Sequence, residues 1–381
     1  MKHLSKLPNI ETTIFTVMSG LANKHEAINL SQGFPNFKSD QKLIDLVSKA
    51  MNSGYNQYAL MPGNMELREA TAEKFDVLYG SSYHPESEIT ITAGATQAIY
   101  DIIAAFIRPD NEVIIIKPAY DCYEPSILIN GGKPVSIQLE APNYQVNWKE
   151  VKQKISVRTK MIIINTPHNP SGTIFSKTDM LQLQELTKNT NIIVLSDEVY
   201  EHMVFDGEKH QSACLFPDLK SRSFITASFG KTFHNTGWKV GYCCAPKELM
   251  EEFRKIHQFN VFSVNHPVQK GLADYMQDPN TYLDLSGFFQ EKRDLFLGLI
   301  KESKFKFKPS QGTYFQVLDY SEITQEYDVD FAKRLTIENG LASIPLSVFN
   351  DHQLDHKVLR FCFAKTDDTL KKAADILNGF N

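Results

Sequence analysis

The chain has 381 residues, 42% of them hydrophobic and 22% charged, with a formal net charge of −5. That length suits about two or three domains with an ample core, and the mild, scattered charge gives no footprint for nucleic acid. No apolar run reaches the roughly 18–20 residues of a membrane span, and MKHLSKLPNIETT lacks the apolar run of a secretory signal. The five cysteines, without CxxC or Cys/His metal spacing, suit reduced thiols, so a cytoplasmic protein without a metal site is expected.

From about residue 89 to 245, short β-branched runs alternate with amphipathic stretches. The candidate strands are Ile89–Thr92, Val113–Ile116, Met161–Ile164, Ile192–Leu195 and Phe224–Thr226, several of them continuously apolar. Such runs fit strands covered by helices on both faces. Helical patterns intervene over Gln97–Ile107 and Met180–Thr187. The alternation predicts an α/β fold, a mostly parallel central sheet with helices on both faces.

Before about residue 40 and after about 285 the pattern changes. A helical stretch at Phe289–Ile300 precedes short strand-like pieces, Thr313–Val317 and Leu359–Phe363. A smaller α+β domain built from both termini is expected, residues 1–40 and 286–381, beside a large domain spanning 41–285.

Open parallel sheets bind ligands beyond the carboxyl ends of their strands. The residues there are Ala93-Gly94-Ala95-Thr96, Lys117-Pro118-Ala119-Tyr120, Asn165 to Pro170, Ser196 to Tyr200 and Ser228-Phe229-Gly230-Lys231. Gly230-Lys231-Thr232 resembles the end of a phosphate-binding P-loop. That loop requires a glycine five residues before Gly230, where this chain has Ile225 inside a strand-like run. The P-loop reading fails, and Lys231 is left as a solvated lysine or a nucleophile.

Together, NTPHNPSG, SDEVYEH and SFGKTFHNTGWKVGY resemble the fold-type I, pyridoxal-phosphate-dependent aminotransferases of class I. The likeness runs over nearly the whole chain and is greatest to methionine and kynurenine (glutamine-type) aminotransferases. An aldehyde cofactor needs a lysine to hold it covalently and to shuttle the substrate α-proton; the resemblance assigns that to Lys231. A pyridine ring serves as electron sink only while its nitrogen stays protonated, which implies Asp197 against it. An Asp at a strand end also suits a helix N-cap. Tyr200 and Asn169 are implied at the ring's phenolic oxygen, and Tyr120 as a stacked ring.

Gly94, Ala95 and Thr96 open a helix whose free N–H groups suit a phosphate, with Ser228 and Lys239 completing the cradle. Aspartate-specific relatives usually have arginine at the position of Lys239; lysine supplies the charge without the fork. Tyr58 matches a tyrosine that in this family reaches the phosphate of the neighbouring subunit, which implies a homodimer with shared active sites. The resemblance also implies cis bonds at Lys117–Pro118 and Asn169–Pro170.

A substrate carboxylate is best clamped by an arginine fork, and Arg360 matches the family's C-terminal arginine, with Asn169 and the Gly33 N–H as further contacts. A structural ion pair is the plainer account of Arg360. No second arginine for a distal carboxylate can be placed. Phe15 falls at an aromatic pocket position, with Tyr123 and the segment around Phe262 as weaker candidates, while His168 and His234 receive no chemical role. These features imply amino-group transfer by a ping-pong mechanism between an amino acid with a neutral side chain and a 2-oxo acid. A β-lyase acting on cysteine conjugates or cystathionine is the alternative. The likeness begins almost at the first residue, so no N-terminal DNA-binding module is expected.

Overall fold

A computed structural model of the chain describes residues 4–380. Its main sheet has seven strands: β1 (Ile89–Thr92), β2 (Glu112–Lys117), β3 (Lys133–Gln138), β4 (Thr159–Asn165), β5 (Ile193–Asp197), β6 (Ser223–Ser228) and β7 (Gly241–Cys244). They lie in the order β1-β7-β6-β5-β4-β2-β3. Only β7 runs against its neighbours; the other pairings are parallel.

The apolar strands feed two cores because successive side chains point to opposite faces. Ile114, Ile116, Ile162, Ile164 and Val194 enter one hydrophobic cluster. Val113, Ile115, Met161, Ile163 and Leu195 enter the other. Each fully buried aliphatic side chain contributes roughly 1.5–3 kcal/mol, so the sheet forms a rigid frame for the loops at its rim.

All five expected strands form. β3 and β7 were not anticipated, for physical reasons. β3 is an edge strand that opens on Lys133-Pro134 and is largely half-exposed, so it has no apolar run. β7 is four residues, GYCC, at the end of a motif dominated by chemistry-bearing groups. Helix α1 spans Ile14–Lys24. Helix α2 spans Gly94–Phe106, beginning three residues before the expected Gln97 because Gly94, at φ +75°, makes the turn off β1. Helix α3 spans Leu285–Ile300 and contains the expected Phe289–Ile300.

Beyond α3, β8 (Phe315–Asp319), β9 (Ile344–Pro345) and β10 (Val358–Cys362) form an antiparallel sheet with β10 in the middle. The two ends of the chain meet where Ile28–Asn29 pairs in parallel with Leu341–Ala342. From there Leu30 accepts a hydrogen bond from the Cys362 N–H at 2.8 Å, and residues 31–34 lead as a strap to the rim of the large sheet. The Ala119 N–H donates to the Phe349 carbonyl at 3.1 Å, and the Gln138 amide donates to Asn350 Oδ1 at 2.9 Å, tying the two sheets' surroundings together.

Candidate active site

One cavity of about 320 Å³ lies over the carboxyl ends of β2, β4, β5 and β6. Every site residue expected from the sequence lines it except Tyr58: Lys231, Asp197, Asn169, Tyr200, Tyr120, Gly94, Ala95, Thr96, Ser228, Lys239, Arg360, Gly33 and Phe15. Tyr58 is 82% exposed and packs edge-on to Phe262 at 5.4 Å, away from this chain's own cavity. Phe262 and Tyr123, the weaker substrate-pocket candidates, do not line this chain's own cavity either. Phe262 lies at the surface beside Tyr58, and Tyr123 lies beneath the cavity floor.

β5 delivers Asp197. Its carboxylate accepts the Tyr123 hydroxyl at 2.6 Å and the Val199 N–H at 3.3 Å. Burial pushes its pKa up to about 6, against the lowering effect of the phenol. The neighbouring Glu198 faces the other side of the sheet, accepting from Ser196 Oγ at 2.7 Å, the Ala213 N–H at 3.0 Å and His210 Nε2 at 2.8 Å. Period-2 geometry thus separates two adjacent carboxylates, one for the cavity and one for the scaffold.

β4 delivers the loop 165–170. The Asn165 amide donates to the Asp197 carbonyl at 2.9 Å, while its Oδ1 accepts the Asn169 N–H at 2.8 Å. The Lys117–Pro118 and Asn169–Pro170 bonds are both cis. His168 joins these two loops. Its Nε2 donates to the Pro118 carbonyl at 3.0 Å, so Nδ1 is the acceptor for Ser171 Oγ at 2.6 Å. Burial pushes this imidazole down to about 4, so it stays neutral and structural. His234 packs among Phe37, Phe288 and Phe289, with burial lowering it likewise to about 4.

Lys231 sits on the short helix Phe229–Thr232 directly after β6. Its Nζ donates to the Gly33 carbonyl at 2.9 Å. Burial lowers its pKa to about 8, with Arg360 and Lys239 acting in the same direction. A lysine so placed has a substantial neutral fraction near physiological pH, which nucleophilic and general-base chemistry both need.

Arg360, from the centre of β10, is 1% exposed. Its Nη1 donates to Asn169 Oδ1 at 2.7 Å and its Nη2 to the Ser31 carbonyl at 2.9 Å. The guanidinium lies 3.8 Å from the Phe315 ring centroid and 5.3 Å from that of Phe15. Its partners are neutral, Nε has none, and the ion pairs among the described residues do not include it. The plainer account, a structural ion pair, is therefore not what the fold contains. A buried cation without a counter-ion is costly, and an anion entering the cavity would relieve it.

At the opposite end, α2 begins without a side-chain cap, and Gly94, Ala95 and Thr96 of its first turn, whose N–H groups have no intrahelical partner, line the cavity. Lys239, itself in a left-handed conformation, lays its methylenes against Gly94. A Cβ at Gly94 would stand 3.4 Å from the lysine's Cδ and Cε. Free helix-start N–H groups, a lysine and the Ser228 hydroxyl fit a phosphate. Asp197 fits a cationic ring nitrogen, and Lys231 fits a carbonyl carbon. The donor set therefore fits pyridoxal phosphate.

Sequence reasoning missed Gln32, Ile99, Asn165, Val199, Thr236 and Phe315 as cavity walls. Asn165 and Val199 flank anticipated residues and carry a positional signal. Phe315 opens β8, 45 residues before Arg360, and nothing in its local pattern points to the site.

The family described as aminotransferase class I and II matches residues 25–377. Over 374 residues the chain is 46% identical to a methionine aminotransferase of Escherichia coli K12, covering 98% of this chain and 97% of that one. It is 31% identical over 402 residues to the human kynurenine–oxoglutarate transaminase 1, covering 96% and 95%. A crystal structure from Escherichia coli, described as a methionine aminotransferase, superposes with a TM-score of 0.97 at 46% identity over the whole of both chains. The N-succinyldiaminopimelate aminotransferase of Mycobacterium tuberculosis superposes at 0.96 with 33% identity, again over both whole chains.

Proposed function

Since the chain belongs to the class I and II aminotransferases, we propose that it is a pyridoxal-phosphate enzyme whose Lys231 holds the cofactor and moves the substrate α-proton. The donor is an amino acid with a neutral side chain, methionine first among them, and the acceptor is a 2-oxo acid. The observation that carries this reading is the convergence of Lys231, Asp197 and the counter-ion-free Arg360 on one buried cavity.

Arg360 binds the substrate carboxylate through its guanidinium, oriented by Asn169 and stacked on Phe315. The Gly33 N–H is a further donor to that carboxylate. Pyridoxal phosphate bound here would supply a sink for the electron pair left at the substrate Cα. Nζ of Lys231, whose charge burial opposes, takes the α-proton from its neutral form. Asp197 as a carboxylate would hold the proton on the cofactor's ring nitrogen, Tyr200 and Asn169 would donate to its ring oxygen, and Tyr120 would stack on the ring. The N–H groups of Gly94, Ala95 and Thr96 would bind the phosphate with Ser228 and Lys239, and Phe15 and Phe315 exclude water from the substrate side.

The preference for a neutral donor is supported by the cavity's lining, in which Lys231, Lys239 and Arg360 are the cations and each is already committed. The kinship to methionine and kynurenine aminotransferases agrees with it, and transamination is favoured over β-elimination. A homodimer is part of the proposal. Tyr58, Leu60, Phe259 and Phe262 are exposed apolar side chains near one another in sequence or space, and Tyr58 would complete a partner's phosphate site. We likewise assign 41–285 to a cofactor-binding domain and 1–40 with 286–381 to a smaller one. A cytoplasmic location is also proposed; no helix among the described residues is long and apolar enough to cross a membrane.

The test is an absorbance spectrum of the purified protein titrated with methionine. The lysine-bound cofactor band is expected to convert on adding methionine and to return with a 2-oxo acid. Borohydride should fix the cofactor to Lys231, and Lys231→Ala should abolish that fixation. Label on another lysine overturns the assignment.

A further inference from the structure

Nζ of Lys231 has a single hydrogen-bond partner among the described residues, the Gly33 carbonyl. The Tyr314 hydroxyl donates to the same oxygen at 2.5 Å. Tyr314 is fully buried and lies outside the cavity lining. Its ring stands edge-on to Tyr200 at 5.2 Å and to Phe315 at 4.9 Å. Nζ lies 5.6 Å from the Tyr314 ring centroid and 5.9 Å from that of Tyr200. The amine occupies a slot between two phenol rings, ended by a carbonyl that serves two donors.

A carbonyl oxygen has two lone pairs and can accept both hydrogens. Two donors nevertheless divide one oxygen's charge, so each bond is weaker than it would be alone. An ammonium gains more from such a bond than a neutral amine does. By occupying Gly33, the Tyr314 hydroxyl withdraws support from the charged form of Lys231. It also holds the strap when Nζ turns away from Gly33 to react.

We propose that Tyr314 is a positioning residue for Lys231, acting through the Gly33 carbonyl to fix the strap and to favour the neutral, nucleophilic amine. The inference rests on the reading that Lys231 captures the cofactor. Tyr314→Phe keeps the ring packing and deletes only the hydroxyl. The measurement is the rate at which full-length chain, stripped of cofactor, captures pyridoxal phosphate across pH 6–10. Absorbance follows the capture, and borohydride fixation with peptide mapping locates it.

The variant's profile is expected to shift to higher pH by about half to one unit, giving capture about three- to tenfold slower near pH 7 and convergence with the parent at high pH. A purely structural role would lower the rate by one factor at every pH; that result, or superimposable profiles, overturns the inference. Cofactor fixed on a lysine other than 231 sinks the functional reading instead. Should the variant fail to fold, hydrogen exchange of the peptide spanning 30–35 in the parent decides. Exchange within about threefold before and after cofactor loading supports Tyr314 as the strap's holder. A larger rise on loading would show that Lys231 alone held it, and overturns the proposal.

Discussion

The Tyr123 hydroxyl and the Asp197 carboxylate are joined by a 2.6 Å hydrogen bond, and the carboxylate's other side-chain contact, the Val199 N–H, is also neutral. Burial holds Asp197 near pKa 6, and the phenol limits that rise. Asp197 must be ionised to hold a cationic ring, so cofactor affinity is expected to fall as pH drops through about 6. In Tyr123→Phe the carboxyl loses a donor to its charged form, and the acid limb should move upward by about a unit. The cofactor Kd at pH 7 should rise about twofold, because the ionised fraction falls from about nine-tenths to about half. Absorbance titrations from pH 5 to 9 check this; an unmoved limb would mean that Tyr123 only packs.

Arg360 offers a second test because its two roles pull apart. Burial lowers the basicity of this guanidinium, and it has no anionic partner to compensate. Arg360→Met should reduce kcat/KM for the amino acid by about 100-fold or more, the loss of a charge-assisted fork. The bound-cofactor spectrum should be unchanged. Urea unfolding should show a chain as stable as the parent, or about 1–2 kcal/mol more so, since an uncompensated buried charge has gone. A marked loss of stability would mean that the guanidinium is structural after all.

The depressed Lys231 makes a prediction whose sign can be worked out. Its pKa falls from 10.5 to about 8, chiefly through burial. Between those values the unfolded chain binds more protons than the folded one, so stability rises with pH in that window. Below about 8 both forms are protonated, and the full penalty, on the order of 3 kcal/mol, is present. Cofactor-free Lys231→Met should therefore be more stable than its parent at pH 6.5, and the gap should narrow from pH 8 to 10. Paired urea melts measure it, and a gap independent of pH contradicts the burial argument.

Much of this site was legible because strands buried on both faces announce themselves as apolar runs, and the chemistry sits at their carboxyl ends. Asp197, Lys231 and the 165–170 loop were found in that way, and their specific roles through family resemblance. Tyr123 and Tyr314 were not given their roles. The chain has 15 tyrosines and 25 phenylalanines, and nothing local marks the two whose hydroxyls meet partners 74 and 281 residues away. Choosing Asp197 over Glu198 likewise required the family pattern; the physical reason, opposite faces of β5, emerges only with the partners of each carboxylate in place. Tyr58 lies outside its own chain's cavity, and its expected role rests on the family resemblance alone.

The last prediction concerns what holds Tyr200 in register. Glu201, the next residue, is buried against Lys74 Nζ at 2.5 Å, with the Tyr242 hydroxyl at 2.5 Å and the Tyr79 hydroxyl at 2.8 Å. Lys74 also donates to the Tyr242 hydroxyl. Burial alone would raise the Glu201 pKa, but Lys74, with His202 and the Tyr242 hydroxyl, overrides it and holds the carboxyl at about 2. The carboxylate is thus ionised throughout the working range, and its stabilisation is lost only as pH falls from 4.5 towards 2. Lys74→Met leaves that charge buried without a cation and should destabilise the fold by about 3–5 kcal/mol at pH 7. The deficit should shrink towards pH 5, because an unpaired buried carboxyl takes up a proton more readily. Adding Glu201→Leu should restore most of the lost stability, since removing both charges is far less damaging than removing one. Urea melts at the two pH values, on both variants, measure this. If the double variant recovers stability but not turnover, the ion pair serves to aim Tyr200, one residue away, into the cavity; recovery of both would reduce it to packing.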